Sequence, residues 1–72
     1  MAFRPPDFVR VRPDALFLIG PKLTEANRVK MAQYVNRTGW VREVRSGGAV
    51  KVFFPSLNKS AWFDNDILEE GL

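Results

Sequence analysis

Cysteine and histidine are both missing from this 72-residue chain. Without cysteine there is no disulfide, thiolate nucleophile or zinc–thiolate site. Without histidine the commonest general base and metal ligand at neutral pH is lost as well. Long apolar runs are also lacking: the longest, Ala15 to Ile19, is far short of the roughly 20 residues that cross a bilayer. Met1-Ala2-Phe3-Arg4-Pro5-Pro6 has no apolar secretory core, so a cytoplasmic address is the default expectation. A chain this short has a thin core and no covalent staple, so apolar packing must hold it together, with or without help from a partner.

Bases are absent from one end. Residues 1–59 hold all eleven Lys and Arg against four acids, which gives +7, whereas residues 60–72 hold four acids and no base, which gives −4. A basic body suits an acidic protein or a nucleic acid, and a net charge of +3 also suits an ordinary solvated surface.

What the chain has is alternation. Phe8 to Arg12 places Val9 and Val11 on one face and Phe8, Arg10 and Arg12 on the other, and Pro13 ends the run. Ala15 to Ile19 is too short to classify by period; it reads as a short strand or an extended arm, closed by Gly20-Pro21. Thr24 can cap a short helix reaching Ala32, followed by an extended run. Trp40 to Arg45 reads as a strand, Ser46-Gly47-Gly48 as a hairpin turn, and Ala49 to Phe54 as the antiparallel return. Ala61 to Phe63 makes a further strand, and a turn at Asp64-Asn65-Asp66 delivers Ile67 and Leu68 to the core. The expected core is Val9, Val11, Val41, Val44, Val50, Val52, Phe54 and Leu68. Val41 and Val44 break the period of two, which a β-bulge would reconcile. The pattern predicts a mainly β chain of about five strands in a small antiparallel barrel, as one domain over residues 1–72 with residues 15–37 inserted.

The outward faces would then carry aromatic and basic residues together: Phe8, Arg10 and Arg12; Trp40 and Arg42; Lys51 and Phe53. Three readings follow. The rings could simply pair across strands or lie under the 15–19 arm. They could anchor a protein partner, where Trp and Arg are common hot spots. They could also stack bases while the cations neutralise phosphates. No catalytic reading arises, because Thr38, Ser56 and Ser60 have no base to activate them. Asp64-Asn65-Asp66 begins like a calcium loop but has Glu69 where the loop needs glycine. Ser46-Gly47-Gly48 lacks the Lys-Ser/Thr and the helix of a phosphate loop. Neither a cofactor nor a metal is expected, and the chain is read as non-enzymatic.

Val9-Arg10-Val11, Gly39-Trp40-Val41-Arg42-Glu43-Val44, Val50-Lys51-Val52-Phe53-Phe54, Trp62-Phe63 and Ile67-Leu68-Glu69 together resemble the rhythm of the SH3-like barrel superfamily. That rhythm covers about half the chain and is mainly a fold signature. It is similar to KOW/Tudor-like binders, to small SH3-like accessory subunits of photosynthetic electron-transfer complexes, and to nitrogen-fixation accessory proteins. The acidic loop and full aromatic groove of proline-binding SH3 domains are missing. The resemblance implies an SH3-like barrel with a short helical insertion, acting as an accessory subunit that docks an acidic protein. Such a partner would be a ferredoxin-like protein or a larger multi-subunit complex. The contact residues would be Arg10, Arg12, Trp40, Arg42, Arg45, Lys51 and Phe53. A small KOW/Tudor-like RNA- or DNA-binding protein is the alternative, and the oligomeric state stays open.

Overall fold

Valine-rich alternation sets the strands, and the computed structural model, which describes residues 3–20 and 23–71, pairs them. Strand β1 is Phe8–Val11, β2 Thr38–Val44, β3 Ala49–Phe54, β4 Lys59–Asp64 and β5 Leu68–Glu70. They form one antiparallel sheet in the order β4-β3-β2-β1-β5. The β2–β3 hairpin closes as its sequence demands: Arg45 N–H donates to the Ala49 carbonyl, and Gly48 takes φ +90°, a conformation that suits glycine. The irregularity between Val41 and Val44 is a bulge, in which Val41 faces Val52, Glu43 faces Lys51 and Arg42 is the extra residue. Ile67 sits at the end of a short 3-10 turn, Asn65–Ile67, and both it and Leu68 are buried.

Among the described residues two α-helices lie between β1 and β2. Helix α2, Glu25–Ala32, starts where Thr24 Oγ1 accepts from Asn27 N–H at 3.2 Å, with Glu25 in its first turn and Lys30 in its last. It has no fully buried residue, and only Met31 packs against the core. The segment Ala15–Ile19 is helix α1, not a strand or arm. Leu18 N–H donates to the Asp14 carbonyl, and the single turn turns Ala15 fully inward. An apolar run of five cannot reveal that choice, because burial of Ala15 and Ile19 against the sheet makes it. The stretch after α2 is a chain of turns, not extended, with Asn36 at φ +63°. Its Asn36 N–H donates to the Val11 carbonyl and its Arg37 carbonyl accepts from Val11 N–H, which pins the helical connection to β1.

The sheet is open and does not close into an SH3-like barrel, so the fold is mixed α/β, with a five-stranded sheet and two helices. β4 pairs only with β3 and β5 only with β1, and these two edges do not meet. Closure would require an edge-to-edge ladder in a fixed stagger, and β5 is only three residues long. The apolar face that a barrel would wrap upon itself is covered instead from the helical connection, by Ala15, Ile19, Met31, Tyr34 and Val35.

Beneath that cover lie Val9, Val11, Val41, Val50, Val52, Phe54, Phe63, Ile67 and Leu68. Seven of the eight expected core residues are buried; Val44, at the open end of β2, stays 38% exposed. Phe54 is the largest fully buried side chain, and its ring meets Tyr34 at 4.9 Å and Phe63 at 5.7 Å. Gly39 is buried opposite Val9, where a β-carbon would run into the Phe53 carbonyl oxygen and lie 2.7 Å from Val52 Cγ1.

Phe54→Ala is expected to cost about 3–5 kcal/mol. A chain of this size holds only roughly 0.05–0.15 kcal/mol per residue, so a large share of its stability would go. Gly39→Ala is expected to cost about 1–3 kcal/mol through forced separation of β2 and β3. Urea denaturation of both variants checks the two figures, and an unchanged midpoint for Gly39→Ala would show that the backbone there yields freely.

Candidate functional site

Residues of odd register relative to the core fall on the uncovered face of the sheet. Phe8 is directly opposite Trp40, Trp40 opposite Phe53, and Lys51 opposite Trp62. The Phe8 and Trp40 rings approach to 4.6 Å, tilted by 52°. Arg42, pushed outward by the bulge, places its guanidinium 5.8 Å from the centre of the Phe53 ring. Arg45, just past β2, stacks on Trp62 at 4.1 Å. The result is an aromatic band across four strands with cations laid on it, and Trp40 is 44% exposed at its middle. Such ring pairs and cation–π contacts are each worth about 1 kcal/mol, enough to orient the side chains without burying them.

Five of the expected residues therefore come together here: Trp40, Arg42, Arg45, Lys51 and Phe53. Two do not serve as free cations. Arg10 is on the same face, but its Nε donates to Glu69 Oε2 at 2.7 Å and its Nη2 lies 2.5 Å from the same oxygen, across the β1–β5 ladder. Arg12 lies past the end of β1, ion-paired with Asp14 at 3.1 Å and beside Leu18, Ile19 and Ile67. Strand alternation could not see this, because both acids reach their arginines through tertiary or turn geometry. Among the described residues, no ion pair involves Arg42, Arg45 or Lys51, although Glu43 is the cross-strand neighbour of Lys51.

Trp62 belongs to the band, although strand alternation from Lys51 and Phe53 did not bring it in. Extending that alternation across the β3–β4 pair would have found it, since Trp62 shares the parity of Lys51's partner. Nor does Trp40 lie beneath the 15–19 segment, which packs through Ala15 and Ile19 into the core.

Among the described residues no three acidic side chains gather to hold a metal ion. At the turn, Asn65 Oδ1 accepts from Phe3 N–H at 3.4 Å, so the residue between Asp64 and Asp66 fastens the N-terminal segment. Among those same residues no helix is long and apolar enough to cross a membrane.

The open sheet also removes the structural basis of the inferred role. An accessory subunit docking an acidic partner through a barrel face needs a barrel wall, and so does the KOW/Tudor-like nucleic-acid alternative. Neither is supported by this architecture.

Trp40→Ala should destabilise the chain by about 1–2 kcal/mol, through loss of the Phe8 and Phe53 contacts, and leave the fold intact. Denaturation midpoints compared with Phe54→Ala check this, and an equal loss in both would place Trp40 among the core residues. Comparison with protein-family models, with curated proteins and with solved structures gave no match for this chain.

Proposed function

We propose that the uncovered sheet face meets a protein surface rich in carboxylates. The proposal rests on the open face itself, with no appeal to a barrel or to a family. One observation carries it: Trp40 stands 44% exposed among Phe53, Arg42 and Lys51, with neither cation in an ion pair among the described residues. An exposed indole rimmed by cations that no carboxylate neutralises gives an apolar anchor and a charge that selects the partner's sign. Arg10, neutralised by Glu69, contributes shape more than charge. Arg12, beyond the strand end, is outside the proposed contact.

Polyglutamate serves as a minimal acidic probe. In the Trp62→Phe variant Trp40 is the sole tryptophan, and its emission should change saturably on titration, less so as salt rises. Arg42→Glu with Lys51→Glu should weaken that response at least about tenfold, which corresponds to 1.4 kcal/mol; loss of the Arg42–Phe53 contact and a like charge opposite Glu43 should lower stability by about 1–2 kcal/mol without unfolding the chain. A flat titration, or tighter binding of a single-stranded oligonucleotide than of polyglutamate, would overturn the reading.

A further inference from the structure

Along the edge strand β4 the helices leave a groove against the sheet, and Trp62 of the outer band lines its rim. It measures about 240 Å³ and is lined by Ile19, Leu23, Met31, Trp62, Phe63 and Ile67, with Asp64 at its exposed edge. An adjoining depression of about 510 Å³, which shares Ile19, Asp64 and Ile67, adds Arg12, Leu18 and Asp66. Two further apolar side chains of the helices are exposed, Phe17 at 85% and Val29 at 67%.

The charges around the groove decide what it can receive. Among the described residues that line or touch the groove and its adjoining depression, Arg12 is ion-paired with Asp14, and Arg45 lies over the Trp62 ring with its charge directed to the outer face. Two carboxylates stand near the groove, and neither is engaged: among the described residues Asp64 and Asp66 have no ion pair and no side-chain hydrogen bond. They sit in the stretch, residues 60–72, that holds four acids and no base. We infer that this groove receives an apolar side chain from a lysine- or arginine-rich peptide segment, whose cations meet Asp64 and Asp66. The two faces of the protein would thus select partners of opposite charge, the sheet face an acidic one and the groove a basic one.

Methyl-detected NMR on the full chain, with a synthetic peptide of alternating leucine and lysine as probe, tests this. Methyl signals of Ile19, Leu23, Met31 and Ile67 should shift saturably. The double variant Asp64→Asn with Asp66→Asn should bind roughly threefold to tenfold more weakly, as expected for two exposed charge pairs. Its fold is checked by amide-signal dispersion, and neither substitution removes a side-chain hydrogen bond. The inference is overturned if the methyls do not move, if a leucine–glutamate peptide binds equally well, or if the double variant keeps full affinity. Since the sheet-face titration reads Trp40 and this one reads methyls on the helical side, each proposal can fail without the other.

Discussion

One constraint governs the molecule: a sheet with a single apolar face must bury that face, and here the connection between β1 and β2 buries it. Val9, Val11, Val41, Val50, Val52 and Phe54 project to one side, and Ala15, Ile19, Met31, Tyr34 and Val35 come down on them. Once that layer is in place the sheet has no apolar reason to curl over itself, and its two edges stay apart. The open edges, the uncovered outer face and the groove beside β4 all follow from this arrangement.

The outer face shows how a small chain keeps large rings at its surface without losing order. Phe8 leans on Trp40, Arg42 on Phe53 and Arg45 on Trp62, so each ring is braced by a neighbour while part of it still meets solvent. None of these contacts matches the burial of Phe54 in energy, and that difference separates stability from recognition. Core residues can be kept while the band is altered. The Arg10–Glu69 pair bridges β1 and the short β5, and it is about one-third exposed on each side, so screening limits its contribution to under about 1 kcal/mol.

Much of this was legible in the residues. Period-two alternation placed four strands within a few residues of their ends, and the broken period between Val41 and Val44 announced the bulge. Thr24 marked the start of α2 because an N-cap is a local device, read from one side chain and a backbone amide three residues on. Ala15 to Ile19 was misjudged because five apolar residues fit either period, and the deciding contact is made by Ala15 with distant strands. Trp62 escaped notice, and Arg10 and Arg12 were counted as free, for a related reason. Their neighbours Lys51, Glu69 and Asp14 are set by strand pairing and turn geometry, which composition does not express.

Composition and alternation were enough to establish strand-forming segments, the identity of most core residues and the lack of thiol or imidazole chemistry. These depend on residue type and on spacing over two to four positions. Whether the sheet closed, which segment covered its apolar face and which cations stayed unpaired depended on contacts between residues far apart in the chain, as between Arg10 and Glu69, 59 positions apart. Such contacts are chosen by the joint packing of the whole chain, in which covering the valine face with helices outweighed closing the sheet into a barrel.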